Sequence, residues 1–430
     1  PWTSIQGEHG TMALYYALLG PWSTISTDLR WIRLLSFLLV AVALVTFCSV
    51  LTRRLGARVA AWGTLFAACS TIVVRLAGEA RAFGLVALLV VVGWWALDRA
   101  LDRPDDRLAW PAFWACALLL PFAHGVAIIQ VASQVLTIAC VRPGRRVVVR
   151  AAIGLGLSLA AMLVLWSSGI SAEGTFVGPT TWGTVDLFVQ NFVSPYPVLA
   201  LGLAVALVAA TWRSVRSAAL APTPAERFGE IMFLFWGLGS LAMVFVASEV
   251  RPVAVARYAM ASAIGLAGLL AAGLRQRDGT GLRPVLGGVV LVLLLPSALV
   301  GGQTGSATWS AAAEAVTADV RPDDAFAFPG HDARLPFEAA WRDAEGGAEH
   351  RVVGSTRPIG SLQRYASTAT DAELADALSR AAAPRVWLVG QPRARTDPLD
   401  TFLTVLPEGY DVAERWSFPS DVQVVLLVRE

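Results

Sequence analysis

Lysine is absent: all 34 basic residues of this 430-residue chain are arginine. That absence fits a GC-rich coding sequence and excludes no chemistry. Charge of either sign is also scarce. Charged residues make up 15% of the chain, against about a quarter in soluble proteins. The net charge of +2 is too small to point to nucleic acid. Cysteine is limited to Cys48, Cys69, Cys116 and Cys140, all inside apolar blocks, where they read as reduced packing residues. His331 and His350 stand too isolated in sequence to suggest a metal site. Neither G-x-G-x-x-G nor G-x-x-x-x-G-K-[ST] occurs, so a nucleotide-binding reading has no motif behind it.

What is abundant is apolar. Hydrophobic residues make up 56% of the chain, in long Leu/Val/Ala blocks separated by short arginine-bearing loops. That is the pattern of a polytopic α-helical membrane protein. Ten spans are expected: Trp31–Leu51, Val59–Ala77, Ala82–Leu97, Trp110–His124, Gly125–Val141, Arg150–Ser168, Tyr196–Trp212, Ile231–Ser248, Tyr258–Leu274 and Pro284–Gly302. Arginine placement orients them. One set of loops carries 16 arginines, among them Arg53, Arg54, Arg58, Arg99, Arg145, Arg146, Arg213 and Arg275. The alternate set carries six: Arg30, Arg33, Arg75, Arg81, Arg251 and Arg257. Basic residues accumulate on the cytoplasmic side, so the first set is assigned there. The short stretch Trp110–Val141 is flanked by arginine-rich loops on both sides and must cross an even number of times. It reads as two short helices hinged at His124-Gly125 on the outer side.

Residues 303–430 have a different texture, with twelve arginines and a matching share of acids. Helical patterning at Ala307–Ala318, Asp371–Ala383 and Pro398–Leu406 alternates with strand-like runs at Ala325–Phe328, Val352–Gly354, Val386–Val389, Val412–Phe418 and Val422–Val428. This predicts a small extracytoplasmic α/β domain with a lid or docking role. The expected organisation is the end of a first outer loop over 1–30, a membrane domain over 31–302 and the α/β domain over 303–430. Both chain ends would then face outward. With Pro1 as first residue, this suggests a fragment that lacks one upstream span and part of the loop after it.

Charges near a bilayer are costly, so those assigned to the outer side are the informative ones. They are Glu8, His9, Asp28, Arg30, Arg33, Glu79, Arg81, His124, Glu173, Asp186, Glu249, Arg251 and Arg257. An acid to take a proton and arginines to hold a phosphate would suit group transfer from a phosphate-linked donor. Each residue has an ordinary reading beside this one. Glu8 and His9 could be plain loop residues. Glu79 and Arg81 could cap and anchor a helix, and His124 could be a satisfied structural histidine. Arg257 could snorkel to lipid headgroups.

Several segments carry a family resemblance. Gly7-Glu8-His9-Gly10, Leu14-Tyr15-Tyr16, Leu29-Arg30 and Ser36 resemble the first outer region of bacterial GT-C membrane glycosyltransferases, nearest the family 39, mannosyltransferase-like group. Arg53-Arg54-Leu55-Gly56, Glu79-Ala80-Arg81-Ala82-Phe83-Gly84, His124-Gly125, Arg251-Pro252 and Ala256-Arg257-Tyr258 follow in the expected order, so the resemblance covers most of residues 7–302. It implies transfer of a sugar, mannose or similar, from a polyprenyl-phosphate carrier to an extracytoplasmic glycan, lipid or protein, with inversion. Glu8 and His9 would lie at the catalytic position. Arg81, Arg251, Arg257 and Tyr258 would hold the donor phosphate, with Glu79 and His124 in support. The departing phosphate needs cationic groups or, alternatively, a divalent metal. The family's usual base is an Asp, often in an Asp-Glu pair, and none precedes Glu8. The base therefore lies in an upstream segment, or is Glu8, or the chain is inactive. Two other classes compete: a transporter or flippase for a lipid-linked or anionic solute, and a non-catalytic envelope assembly protein.

Overall fold

A computed structural model describes residues 12–26, 28–103, 106–167, 180–192, 196–275, 285–292, 294, 306–329, 333–345, 351–354, 370–391, 398–419 and 422–429. The chain divides into two compact units, Pro1–Gly301 and Gly302–Glu430. The first unit is helical. Among its described residues six helices are long and apolar enough to cross a membrane, or seven if a bent pair counts as one span. The expectation of ten is therefore not reached on length and composition. The expected span Val59–Ala77 is broken into α3 (Ala57–Ala68) and α4 (Thr71–Ala77), bent by 64°. The stretch between the arginine-rich loops forms two shorter helices, α6 (Ala109–Ala123) and α7 (Ile128–Val141), joined through His124 and a 3-10 turn at Gly125–Ala127. Much of the expected span Pro284–Gly302 lies outside the described residues; 285–292 are helical.

The long helices are α2 (Leu29–Leu55), α5 (Phe83–Asp102), α8 (Arg145–Ser167), α10 (Pro197–Leu220), α11 (Pro224–Val250) and α12 (Met260–Gly273, entered through a 3-10 turn at Ala256–Ala259). Their composition sorts them into centre and rim. Every residue of α12 from Met260 to Ala271 is buried, and its Ala, Gly and Ser side chains let neighbouring backbones come close. By contrast, α8 and α10 turn large apolar side chains such as Leu163, Val205 and Val208 outward, as lipid-facing helices do.

A π turn at Phe235–Gly239 widens α11 where it crosses α12. Widening frees carbonyls, and side chains take them up. Ser133 donates to the Phe235 carbonyl at 2.6 Å and the Trp236 indole donates to Ala261 O at 2.8 Å. Gln130 donates to Ser262 at 2.9 Å, the Ser262 and Ser240 hydroxyls are 2.7 Å apart, and Ser240 donates to Trp236 O. A hydroxyl has one proton, so this relay runs one way, from Gln130 to the Trp236 carbonyl. At the arginine-rich end, Arg53 and Arg54 of α2 bind Asp98 and Asp102 of α5.

Two helices stand where the sequence reading had placed loop. Residues Ala13–Ser23 form α1, which packs on α2 and α6, and Trp182–Phe192 form α9.

The second unit is an α/β layer structure. Its five-stranded sheet has the order β2-β1-β3-β5-β4, with β1 (Ala325–Ala327), β2 (Arg351–Val352), β3 (Arg385–Gly390), β4 (Tyr410–Phe418) and β5 (Val422–Arg429). Strand β1 pairs in parallel with β2 and β3, while β5 pairs antiparallel with β3 and β4. Alternation along β3 builds two cores. Trp387 and Val389 pack with Trp309 of α13 (Ser306–Thr317) and with Phe337 and Trp341 of α14 (Arg334–Glu345). Val386 and Leu388 pack with Leu374 and Leu378 of α15 (Asp371–Ala381) and with Phe402 of α16 (Pro398–Leu403). The sequence reading omitted α14. Its Pro336 sits in the first turn, where a missing N–H costs no helical hydrogen bond.

Candidate functional site

Three aromatic rings from three parts of the membrane unit meet at one end of the bundle. His124, between α6 and α7, is buried, and its ring centroid is 4.3 Å from that of Tyr258 in the turn entering α12. Phe83, first residue of α5, completes the group at 5.9 Å from His124 and 6.5 Å from Tyr258. Two cations flank it. The Arg81 guanidinium carbon lies 5.6 Å from the Phe83 ring centre, and that of Arg257 lies 5.5 Å from Tyr258. Both arginines are within electrostatic reach of the His124 imidazole. Cations over ring faces gain about 0.5–2 kcal/mol each, which holds the guanidinium groups in place without neutralising them.

Neither Arg81 nor Arg257 forms an ion pair among the described residues, and the Arg257 Nε–H is buried without a hydrogen-bond partner. A buried guanidinium donor without an acceptor is costly, and an anion would remove that cost. Contrast Arg53 and Arg54, whose charges two aspartates already balance. The site is thus two cations on an aromatic floor, suited to an anion that accepts several hydrogen bonds, such as a phosphate.

The local backbone explains the placement. Residues 78–82 form the turn between α4 and α5, and the Arg81 N–H donates to Glu79 O at 2.8 Å. The Arg81 carbonyl accepts from Ser36 of α2 at 3.2 Å, and Tyr15 of α1 meets the same Ser36 hydroxyl at 2.9 Å. Arg257 lies in the 3-10 turn Ala256–Ala259, where the Tyr258 N–H donates to Val255 O at 2.9 Å.

Of the residues expected from sequence, the structure brings Arg81, His124, Arg257 and Tyr258 together. Glu79 is half-buried two residues from Arg81. Arg251 is exposed at the C-terminus of α11 and forms no ion pair among the described residues. Glu8, His9 and Glu173 lie outside the described residues, as do His331 and His350. Asp28 caps α2 by accepting from the Arg30 and Trp31 N–H groups, and Asp186 accepts from Gln190 within α9. Sequence reasoning missed Phe83 as the shared ring. Its spacing from Arg81 was visible, but its neighbours were not. Among the described residues, no group of three or more His, Cys, Asp or Glu is arranged to hold a metal ion.

No protein-family model matches the chain, and no curated protein matches it in sequence. Solved structures do. The apo crystal structure of ArnT from Cupriavidus metallidurans matches with a TM-score of 0.52 and 12% identity, over 92% of this chain and 83% of that one. The chain has the GT-C fold. The GT-C match extends to ArnT bound to undecaprenyl phosphate, at a TM-score of 0.52 and 12% identity over 92% of this chain and 84% of that one. It includes the archaeal oligosaccharyltransferase AglB from Archaeoglobus fulgidus, in complex with an inhibitory peptide and a dolichol-phosphate. There the TM-score is 0.52 and the identity 9%, over 97% of this chain and 66% of that one. These GT-C neighbours do not single out the family 39, mannosyltransferase-like group. With six candidate spans or more among the described residues, the chain is a multi-pass membrane protein.

Proposed function

We propose that the chain is a membrane glycosyltransferase that moves a sugar, mannose or similar, from a polyprenyl-phosphate carrier to an extracytoplasmic acceptor, with inversion. The observation that carries this reading is the pair Arg81 and Arg257, two uncompensated cations on the Phe83–His124–Tyr258 floor. Two fold neighbours were solved with a polyprenyl-type phosphate, undecaprenyl phosphate in ArnT and dolichol-phosphate in AglB, which supports a lipid phosphate as the anion.

In this reaction a base takes the acceptor hydroxyl proton. The acceptor oxygen attacks the anomeric carbon from the face opposite the carrier, and the carbon–oxygen bond to phosphate breaks. Its electron pair passes to the phosphate oxygen, so negative charge grows on the leaving group. In this reading Arg81 and Arg257 stabilise that charge, and Tyr258, against which the His124 ring packs, lies under the Arg257 guanidinium. Arg251 is assigned to the rim of the same site. Glu8, with His9 beside it, is the base of this reading, and Glu79 supports it. The C-terminal α/β unit is assigned to the same outer side.

Sugar transfer from a defined polyprenyl-phosphate-mannose, followed by chromatography, tests the reading. Arg257→Ala should lower donor turnover about tenfold to a hundredfold, the range for hydrogen bonds to a charged group. Movement of the lipid-linked sugar across the bilayer without bond cleavage would make the chain a transporter instead. Donor binding and turnover unchanged by Arg257→Ala would remove the phosphate assignment.

A further inference from the structure

We infer that Ser36, oriented by Tyr15, is a positioning residue that sets Arg81 for the donor phosphate. The inference rests on the donor-phosphate reading above and adds a hydrogen-bonded strap from α1 through α2 to the start of α5. Ser36 sits inside α2, where a serine hydroxyl would ordinarily bond back to its own helix. Here it crosses instead to the Arg81 carbonyl, 3.2 Å away. The Tyr15 hydroxyl lies 2.9 Å from the same oxygen, and both side chains are fully buried. Ser36 has one proton and spends it on the Arg81 carbonyl. Tyr15 must therefore donate to Ser36, which fixes the order Tyr15 to Ser36 to Arg81.

Close packing keeps the strap short. A Cβ at Gly84 would lie 2.7 Å from the Ser36 carbonyl oxygen, so glycine is what lets the start of α5 approach α2 this closely. The carbonyl that Ser36 holds belongs to the residue whose guanidinium covers Phe83. It lies in the turn before α5, where helical hydrogen bonding does not fix the peptide. Tying that peptide fixes where the Arg81 side chain departs from the backbone. A supporting contact of this kind keeps a charged group within the narrow tolerance that binding needs.

The test is a double-mutant cycle on the full-length protein in detergent, measuring the Kd for a short-chain polyprenyl phosphate by calorimetry. Arg81→Ala should weaken binding about tenfold or more, and Ser36→Ala about threefold to tenfold. In the Arg81→Ala background, Ser36→Ala should change Kd by less than about twofold, because its effect passes through the missing guanidinium. Tyr15→Phe keeps the bond to the Arg81 carbonyl and removes the donor that orients it. It should give a smaller loss, also erased by Arg81→Ala, and it serves if Ser36→Ala fails to fold. Equal losses from Ser36→Ala in both backgrounds would mean general damage and overturn the inference, as would no loss at all. If Arg81→Ala itself leaves Kd unchanged, the donor-phosphate reading fails first and takes this inference with it.

Discussion

Gly237 of α11 and Gly265 of α12 meet backbone to backbone: a Cβ on Gly265 would lie 2.5 Å from the Gly237 nitrogen. The π turn at Phe235–Gly239 and the all-small face of α12 both serve this contact. Because the near atoms are backbone, no side-chain rotation can make room. Gly265→Ala should therefore destabilise the membrane unit by about 1–3 kcal/mol, the usual cost of overpacking. Thermal unfolding in detergent should show a clear drop in midpoint, whereas Gly156→Ala, with open space around it, should not.

The pairing of Arg53 and Arg54 with Asp98 links the opposite end of α2 to α5, and the Asp98 side chain is almost wholly enclosed. Removing one partner of a buried pair strands the others. Asp98→Ala should cost about 3–5 kcal/mol. Asp376→Ala, which breaks the exposed Arg380–Asp376 pair, should cost under about 1 kcal/mol. A loss from Asp98→Ala no larger than that of Asp376→Ala would contradict the clamp.

Charge alone does not define the Arg257 site. Lysine would keep the charge but lose both the planar group over Tyr258 and the buried Nε–H. Arg257→Lys should raise the donor KM about tenfold, near the loss of one charge-assisted hydrogen bond, and leave the acceptor KM unchanged. Equal changes in both KM values would point to damage beyond the donor site.

In the α/β unit, Glu373 accepts from the Thr370 backbone N–H at 2.7 Å and its hydroxyl at 3.1 Å, while Thr370 caps the Glu373 N–H. These bonds hold the Glu373 carboxyl below its ordinary value. A carboxylate with a lowered folded pKa stabilises the fold above its unfolded value, and that gain disappears as pH falls through the folded one. The stability difference between the wild type and Glu373→Ala should thus be full at neutral pH and vanish in acid. Paired thermal melts across that range measure it, and a difference independent of pH would contradict the capping assignment.

Much of the fold is legible in the residues themselves. Long apolar runs mark α2, α5, α8, α10, α11 and α12 because a bilayer accepts a backbone only when its polar groups are paired within the segment. Short, nearly continuous apolar runs in Arg385–Gly390 and Val422–Arg429 mark the sheet, because a strand covered by helices on both faces buries successive side chains in opposite layers. Short helices were harder to see. The helices α1 and α9 both fall in stretches read as loop. The break at Cys69-Ser70 lies inside a run whose hydropathy is continuous, since hydropathy measures transfer into lipid and not the direction of a helix axis.

By itself, the sequence determined that this chain lives in a membrane, where most of its spans lie, and that it ends in an α/β unit. Each of those follows from local composition and period. Which arginines stand uncompensated was decided only by the tertiary structure. Loop position in the sequence separates Arg53 and Arg54 from Arg81 and Arg257 only by side of the membrane; packing is what sets Asp98 beside the first pair and leaves the second over Phe83 and Tyr258. Charge compensation depends on distance in space, and for residues as far apart in the chain as Arg81, His124 and Arg257 only the packing of α2, α5, α6 and α12 sets that distance.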